Sequence, residues 1–499
     1  MNAAEVLTLP RLTVAARYRR RATAAGAALV LAGLVALRLR TMHQGLLYPD
    51  GYQYLLMARG IGQHLQPVAR LGPGGDMLAP STDAAAKPLF PAFVALAEAA
   101  GSSPLEAARL VAGVAAATVA PLVGLLTLRL GATRPAALLS GLLCLFSPVI
   151  GFWFGFAGPD ALAEALALAA ALALVARRPL LAGVLVGLCV TARPEFSVLF
   201  LTAALAAAAS PRTRRDAVLG STAALLTLAC VVAVLRPPIA TSTLLLLCGA
   251  AAVSFFGAVA LVWADRASAR AALGAVVAAG ALLVYAVVHG GGWSSMAARE
   301  WPLIALAGGG LVPAMRSPTT RSATLRVVTL ATVLALAYWW KNPGSERYAA
   351  MLVPALAVLA GLGLSRIKPA ALTGAGVLAV VATLAVSAPA VGADAFPLIA
   401  ARLERAPAGT IVTAAPDAYA TLLPGRAFRV MRPGVSGLVL VDGAARAYEP
   451  DLSVVGTVLE RIAPGPGFLR PDGRIDRAPA ILYRGTVQAA NQRRASASP

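Results

Sequence analysis

The sequence has few charged residues. Lys, Arg, Asp and Glu together make up 13% of its 499 residues, whereas 59% are hydrophobic. A soluble protein needs more polar surface than this, so the composition excludes a soluble globular chain. Apolar runs long enough to cross a bilayer recur between residues 22 and 390. The chain is therefore predicted to be a multi-pass protein of the cell (plasma) membrane, and the lipid bilayer is one of its predicted partners.

Acidic residues are scarce as well, because 22 Asp and Glu stand against 43 Lys and Arg, which gives a net charge of +21. In a soluble protein this excess would suggest a nucleic-acid partner. Here the basic residues lie mostly in short clusters between the apolar runs. That distribution is explained by orientation in a membrane. We therefore predict no nucleic-acid partner.

Histidine and cysteine are too few and too scattered to indicate a metal site. The three histidines show no ligand spacing, and the four cysteines lie inside apolar runs, as expected of small buried hydrophobes. No Gly-rich phosphate loop follows a strand, and no Ser-His-Asp or Cys-His signature is present. The sequence thus supports neither a cofactor nor a metal, although it leaves a divalent ion open, and it gives no support to an ATP or nucleotide-sugar site. The cysteines are Cys144, Cys189, Cys230 and Cys248.

The apolar runs predict an all-α membrane domain of about 11–13 transmembrane helices, because some runs are shorter than a usual span. The loops fall into two alternating sets, and the set that is richer in Arg and Lys should be cytoplasmic. This places the N-terminus inside and the C-terminus outside. The predicted spans are 22–39, 107–128, 135–153, 160–176, 179–192, 196–210, 217–235, 240–263, 271–288, 302–315, 325–340, 347–364 and 370–390.

Three regions follow from this pattern: a basic cytoplasmic N-terminus (1–21), a transmembrane domain (22–390) with a long first outer loop (40–106), and an extracytoplasmic α/β domain with a disordered tail (391–499). In the loop, "YQYLLMARGIGQHL" and "LFPAFVALAEAAG" are amphipathic and are predicted to lie on the membrane surface. In the last region, "GTIVTAA", "FRVM" and "GLVLVDG" predict strands. There "DAYATLL" and "LSVVGTVLERI" predict helices.

Ionisable residues near the span ends are candidates for function, because charges are costly in hydrocarbon. Asp50, after Pro49, and Asp160, in "GPDALAEAL", each begin a predicted helix, so each is either a helix cap or a functional acid. Arg193 and Glu195 interrupt an apolar run, so these charges are either used or paired with each other. Lys87 either serves the site or extends to the lipid headgroups.

The order of five stretches resembles a known family. They are "YPDGYQYLLMAR", "KPLFPAFVAL", "GPDALAEALALAAALAL", "GLCVTARPEF" and "ERYAAMLVPALAVLAG". Together they resemble the C-type (GT-C fold) membrane glycosyltransferases that use polyprenyl-phosphate sugars, the group that includes protein O-mannosyltransferases and the aminoarabinose transferase of lipid A. The resemblance covers roughly residues 20–365, and the small outer α/β domain also suits the group.

The resemblance implies roles for individual residues. Asp50 corresponds to the acid that activates the acceptor hydroxyl, and Asp160 to a second catalytic acid, while Lys87, Arg193 and Arg347 correspond to the cations near the lipid phosphate. Many members of the family carry an acidic pair in the first loop, whereas in this chain Asp50 is followed by Gly51. The resemblance therefore gives no support to a metal ion bound at Asp50. The further candidates for substrate binding are Tyr54, Arg59, Glu195 and Tyr348.

The resulting prediction is a hexosyl- or pentosyltransferase that moves a sugar from a polyprenyl-phosphate donor to a cell-envelope acceptor (glycan, lipid or protein) on the outer face of the membrane. Two alternatives stay open. A polyprenyl-lipid or solute transporter would show repeated halves and polar groups near the bilayer midplane. A non-catalytic assembly protein would need no acid at each of two outer helix starts.

Overall fold

The computed structural model describes most of the chain, with gaps. The predicted spans 240–263 and 370–390, and all but the last residue of 271–288, lie outside the described residues. The described residues are 26, 29–42, 46, 50–78, 84, 86–208, 213–235, 288–289, 291–341, 345–366, 395–463, 465, 467–469 and 475–489.

Helices form nearly all of the regular structure before residue 367. They are α1 (29–41), α2 (Asp50–His64), α3 (Leu89–Ala99), α4 (Pro104–Arg129), α5 (Arg134–Leu145), α6 (Pro148–Trp153), α7 (Pro159–Val175), α8 (Pro179–Ala192), α9 (Ser197–Ala208), α10 (Arg214–Leu235), α11 (Gly291–Arg299), α12 (Trp301–Arg316), α13 (Pro318–Lys341), α14 (Glu346–Ala349) and α15 (Val353–Leu364). Short 3₁₀ turns lie at Pro194–Phe196 and Ala350–Leu352.

The helix α4 illustrates how the sequence sets these elements. The Glu106 carboxylate accepts hydrogen bonds from the Ser103 amide (3.3 Å) and hydroxyl (2.6 Å), and Pro104 occupies the first turn, where a missing N–H costs nothing. The helix has 26 residues, most of them apolar, and at 1.5 Å per residue it is about 39 Å long. That length suits a membrane span.

Four helices among the described residues are long and apolar enough to cross a membrane, and shorter apolar helices lie between them. The predicted membrane domain of helices is thus seen in outline, while the number of spans and their orientation stay predictions. The four are Pro104–Arg129, Arg214–Leu235, Thr320–Trp339 and Glu346–Leu364.

Small and hydroxyl side chains allow close packing in this helical domain. Gly310 of α12 and Gly363 of α15 meet so closely that a Cβ on Gly363 would overlap the Gly310 Cα, so neither position accepts a larger residue. Nearby, the hydroxyls of Thr127 and Ser140 share a 3.0 Å hydrogen bond, and Ser140 donates to the Ala357 carbonyl at 2.7 Å. These contacts tie α4, α5 and α15 together.

Two of the three described cysteines fit the sequence prediction of small buried hydrophobes. Cys144 and Cys189 are buried, whereas Cys230 is exposed on the apolar helix α10. Cys248 lies outside the described residues.

The last part of the described chain (395–489) is a small α/β unit, called here the C-terminal domain. Its five-stranded sheet has the order β4–β3–β5–β9–β6; β3 runs parallel to β4 and β5, and β9 is antiparallel to β5 and β6. The elements are α16 (Ala395–Leu403), β3 (Ile411–Thr413), α17 (Pro416–Leu422), β4 (Phe428–Val430), β5 (Ser436–Val441), α18 (Gly443–Tyr448), β6 (Leu452–Ile462), β7 (Phe468–Leu469), β8 (Ile475–Asp476) and β9 (Ala480–Ala489).

Most sequence predictions for this domain are confirmed. The strands β3, β4 and β5 and the helix α17 lie where the sequence predicts them. The predicted helix "LSVVGTVLERI" is wrong, because these residues form the strand β6, which pairs with β9 along almost its whole length. β-branched residues such as Val454, Val455 and Thr457 favour a strand, and a partner that follows in the chain supplies the hydrogen bonds.

The long 40–106 loop packs against the C-terminal domain. Its hairpin, β1 (Ala69–Arg70) and β2 (Met77–Leu78), lies beside β4, where the Phe428 amide donates to the Leu71 carbonyl at 2.8 Å and the Asp76 amide donates to the Phe428 carbonyl at 3.3 Å. The helix α2, expected to lie against the membrane surface, is instead largely buried by protein, with Tyr54 and Ala58 wholly enclosed. The loop and the domain therefore share one core.

Candidate active site

The first part of the candidate site is a helical hairpin that joins two opposite charges. Asp160 is the second residue of α7, after Pro159, and Arg193 directly follows the last residue of α8. Only residues 176–178 separate these helices, so the start of α7 and the end of α8 lie at the same end of the hairpin. There the Arg193 guanidinium forms a salt bridge with the Asp160 carboxylate, and both side chains are buried.

Arg193 is surrounded by further partners. Its Nη1 lies 3.5 Å from Glu195 Oε1, because the 3₁₀ turn at Pro194–Phe196 folds Glu195 back towards it. Its guanidinium also lies over the Tyr348 ring, 5.3 Å from the centroid, and that ring stacks on Tyr338 at 5.3 Å. Arg193 thus pairs with Glu195, as one reading of the sequence allows, and with Asp160 as well.

Arg347 links this buried pair to Asp50. In α14, its Nε donates to Asp160 Oδ2 at 2.6 Å, and its Nη1 donates to Asp50 Oδ2 at 2.7 Å. The planar guanidinium fork suits two carboxylates at once. Asp50, Arg347, Asp160, Arg193 and Glu195 therefore form a continuous chain of opposite charges, called here the charge network.

Lys87 adds a third positive charge to the two arginines. Its side chain is 1% exposed, so it does not extend to headgroups, and its charge acts on Asp160. The three cations face the three carboxylates of the network, an arrangement that buried charges require. Removing one member would leave an unbalanced charge away from water.

The exposure of the network changes along its length. The Asp160 and Arg193 side chains are 6% and 0% exposed, whereas that of Asp50 is 24% exposed. Asp50 is the first residue of α2, so it combines a helix start with a place in the network. Of the two predicted acids, Asp50 is the one that solvent reaches more easily.

The other predicted candidates lie around the network. Tyr54 is buried, with its ring 5.7 Å from that of Phe90, and it acts electrostatically on Arg347. Arg59 instead contacts the C-terminal domain, where it donates to the carbonyls of Ala420 and Thr421 at 3.2 and 3.3 Å. These carbonyls end α17, where a cation is favourable.

Neighbouring acids have structural partners of their own. Glu346 pairs with Arg299 at 3.2 Å, and the Glu300 carboxylate accepts hydrogen bonds from the Ser147 hydroxyl and, at 3.1 Å, from the Val149 amide. No group of three His, Cys, Asp or Glu that could hold a metal occurs in the described part of the chain. Between Asp50 and Asp160 the structure has the Arg347 guanidinium, a cation supplied by the chain itself.

Sequence reasoning missed one acid near Asp50. Asp417 lies in the first turn of α17 and is 3% exposed; its Oδ1 accepts from the Ala418 amide at 3.0 Å, and Gln53 of α2 donates to its carboxylate. Burial raises the pKa of Asp417 to about 7, and the charge of Asp50 adds to the rise, which these hydrogen bonds oppose. Only a helix-start pattern marks Asp417 in the sequence.

The fold is similar to those of solved membrane glycosyltransferases. The archaeal oligosaccharyltransferase AglB from Archaeoglobus fulgidus, in complex with an inhibitory peptide and a dolichol-phosphate, matches 80% of this chain at 13% identity with a TM-score of 0.52. The chain spans 63% of the length of AglB. AglB and the two proteins described next, AftD and ArnT, are glycosyltransferases of the GT-C fold.

Two other solved structures match larger shares of the chain. The arabinofuranosyltransferase AftD from Mycobacteria matches 91% of this chain and 41% of its own at 14% identity, with a TM-score of 0.49. ArnT from Cupriavidus metallidurans matches 92% of this chain and 98% of its own at 15% identity, with a TM-score of 0.44. No protein-family model and no curated protein sequence matches the chain.

Proposed function

Because the chain has the fold of the GT-C membrane glycosyltransferases, we propose that it transfers a sugar, a hexose or a pentose, from a polyprenyl-phosphate donor to a hydroxyl group of a cell-envelope acceptor on the outer face of the cell membrane. One observation carries the proposal: Arg347 bridges a buried acid and a partly exposed one at 2.6 and 2.7 Å. AglB, which shares the fold, was solved with a polyprenyl phosphate of the dolichol type.

The cations of the site suit the leaving group of this reaction. A polyprenyl-phosphate sugar is already activated, so the protein needs no nucleotide, and the departing phosphate needs positive charge. Arg347, Arg193 and Lys87 supply that charge without a metal ion, and a guanidinium binds two phosphate oxygens at once. Tyr348, Tyr54 and Glu195 hold these cations in place and complete the donor side of the site.

Asp50 suits the role of general base. The acceptor oxygen attacks the anomeric carbon, its proton passes to Asp50, and the bond between that carbon and the phosphate oxygen breaks, so that the electron pair leaves with the phosphate. A single displacement of this kind inverts the anomeric centre. Asp160 stays ion-paired and positions both arginines.

The contact between Arg347 and Asp50 implies an order of binding. While Asp50 accepts the Arg347 hydrogen bond, its carboxylate is less available as a base. The donor phosphodiester carries one negative charge, as Asp50 does, and competes with it for the same guanidinium; the charge on the phosphate grows as the sugar leaves. Donor binding therefore frees the base, which limits proton abstraction to the loaded enzyme.

A transfer assay tests the proposal. Purified protein in nanodiscs receives a panel of radiolabelled undecaprenyl-phosphate hexoses and pentoses together with cell-envelope glycan, lipid and peptide acceptors. Wild-type protein should transfer label, and Asp50→Asn should lower the rate by at least ~100-fold, because an amide cannot accept the proton. Undecaprenyl phosphate should still bind the variant.

Asp76→Asn is the matched control, because Asp76 belongs to the same loop but is exposed and only weakly paired with Arg429, at 3.8 Å. Its transfer rate should equal that of the wild type. Full activity in Asp50→Asn would refute the role of this carboxylate. Movement of donor lipid across the bilayer without any transfer would favour a transporter instead.

Orientation is tested separately. Cysteines introduced at Ser345 and Ser436 should react with a membrane-impermeant thiol reagent in intact cells, whereas one at Thr213 should react only after lysis. Labelling at Thr213 alone would place the charge network on the cytoplasmic side and overturn an outer-face reaction.

A further inference from the structure

The C-terminal domain brings an exposed aromatic side chain towards Asp50. Tyr448 ends α18 and is 37% exposed. A row of edge-to-face ring contacts joins it to α2: Tyr448 to Phe468 at 6.4 Å, Phe468 to Phe396 at 5.8 Å, and Phe396 to Tyr52 at 5.3 Å. Tyr52 follows Asp50 by two residues, so the row fixes Tyr448 relative to the first turn of α2.

Charge effects agree with this geometry. Asp50 and Asp417 both lie close enough to Tyr448 to act on it, and burial together with these negative charges raises the pKa of Tyr448 to about 12. The phenol therefore keeps its proton at neutral pH and is a hydrogen-bond donor. Asp417 itself is enclosed and bonded to Gln53, so it contributes charge and position rather than a contact surface.

The surroundings of Tyr448 limit what it can bind. The charge of Asp50 is compensated by Arg347, and the pKa of Asp417 is about 7, so the surroundings of Tyr448 favour neither an anionic nor a cationic acceptor. A half-exposed ring with a hydroxyl tip offers an apolar face and a polar edge. A sugar ring has the complementary surface, with C–H groups on its face and hydroxyl groups along its rim.

We infer that Tyr448 forms an acceptor subsite next to Asp50 and that this subsite takes a neutral carbohydrate. The inference rests on the proposed function, because it identifies the acceptor of that reaction as a glycan. The acceptor sugar stacks on the Tyr448 ring, and one of its hydroxyl groups is presented to Asp50. Asp417 is a positioning residue, which holds α17 against α2 through Gln53.

The docked domain gives this subsite its geometry. Arg59 fixes the end of α17, Gln53 fixes its start, and the aromatic row fixes α18. The C-terminal domain and α2 thus present Tyr448 and Asp50 as one surface.

The test measures acceptor affinity separately from donor affinity in the full-length protein in nanodiscs. The acceptor probes are a neutral octyl-glycoside oligosaccharide and a threonine-containing peptide, and the donor is the one that the wild type uses. Tyr448→Ala should raise the KM for the oligosaccharide by about three- to tenfold, the loss expected for one aromatic contact. The Kd for undecaprenyl phosphate should not change. Tyr448→Phe keeps the ring, so its KM for the oligosaccharide should rise less. This variant replaces the alanine variant in the test if the latter folds poorly.

Leu459→Ala is the matched control, because Leu459 is a similarly exposed apolar residue of the same domain, on β6. It should leave both constants unchanged. The inference is overturned if Tyr448→Ala keeps the wild-type KM for the oligosaccharide, or if only the peptide is glycosylated.

Binding of the oligosaccharide without donor separates this inference from the proposed function. If the wild type transfers no sugar but binds the oligosaccharide, and Tyr448→Ala binds it less tightly, the subsite stands and the transferase proposal fails. If the wild type transfers sugar while binding does not depend on Tyr448, the proposed function stands and the subsite is refuted.

Discussion

The two ends of the charge network use the same kind of bond in different surroundings. Arg347 donates to Asp160 at 2.6 Å and to Asp50 at 2.7 Å, yet the Asp160 side chain is enclosed while the Asp50 side chain is partly exposed to solvent. Bond length therefore does not distinguish the two acids, whereas access to water does. A buried ion pair resists exchange, because separating it leaves charges without solvent.

The two ends are also built differently. A single hairpin with a link of three residues brings Asp160 and Arg193 together, so this end depends on local structure. Asp50 reaches Arg347 across 297 residues of sequence, and its helix is held by the C-terminal domain. The buried end therefore fixes the cations, and the partly exposed end is easier to separate, which agrees with the proton-accepting role proposed for Asp50.

The largest expected effect comes from removing Arg193, which tests whether the two ends of the charge network differ in their contribution to stability. Arg193→Ala leaves Asp160 and Glu195 with less compensation away from water, so the free energy of unfolding should fall by about 3–5 kcal/mol. Thermal unfolding in detergent, followed by tryptophan fluorescence, measures the loss. Asp50→Asn should cost far less stability; an equal loss in both variants would show that the two ends do not differ.

A second substitution changes the shared cation. Arg347→Lys keeps the charge but removes the fork that reaches both carboxylates, so the transfer rate should fall by about 10- to 100-fold. The initial rate with saturating donor measures this. Arg299→Lys is the control, since Arg299 pairs with Glu346 through one guanidinium nitrogen and should tolerate the change. Unchanged turnover in Arg347→Lys would remove the bridging guanidinium from the mechanism.

A third substitution weakens only the partly exposed end. Arg59→Ala removes two hydrogen bonds to the end of α17 and should destabilise the docked domain by about 1–2 kcal/mol. Hydrogen exchange of 416–422 should become faster, while exchange in 159–175 should stay the same. Arg402→Ala is the control, because Arg402 is an exposed arginine of the same domain, and this variant should leave both exchange rates unchanged. Faster exchange in both segments would mean that the two ends are not independent.

The smallest effect concerns pH. Because the pKa of Asp417 is raised to about 7 in the folded protein, its neutral form stabilises the docked domain at low pH, and this contribution is lost as the pH rises through 7. Protection of 416–422 should fall by about 1 kcal/mol between about pH 6 and about pH 8. Asp417→Asn should abolish this dependence. A dependence that persists in Asp417→Asn would assign it to another group.

The sequence was a good guide to the buried end of the site. Arg193 and Glu195 stand out because they interrupt an apolar run, where a charge is costly unless it is paired. Asp160 stands out as an acid at the start of a predicted helix. Asp50 stands out in the same way, and its role, like that of Arg347, follows from the resemblance; the structure brings both residues into the network. Their roles in catalysis stay predictions.

The sequence was a poorer guide to contacts between distant segments. Arg59 resembles a site residue, but its partners are carbonyls of α17, which no sequence pattern marks. Asp417 has the pattern of an ordinary helix start, and only the fold brings it near Asp50. The strand β6 was mistaken for a helix because its register depends on β9, which was not predicted.

The contact between Arg59 and the end of α17 also affects the biosynthesis of the protein. Arg59 and Ala420 are 361 residues apart, so at usual rates of translation roughly 20–70 s separate their synthesis. During that interval the 40–106 loop lacks its partner, and the first turn of α2 lacks the contacts that hold it in place. A nascent chain that stops before residue 416 cannot complete the surface around Asp50. The proposed transfer reaction would therefore have to wait for the C-terminal domain, because that domain helps to hold the proposed base in position.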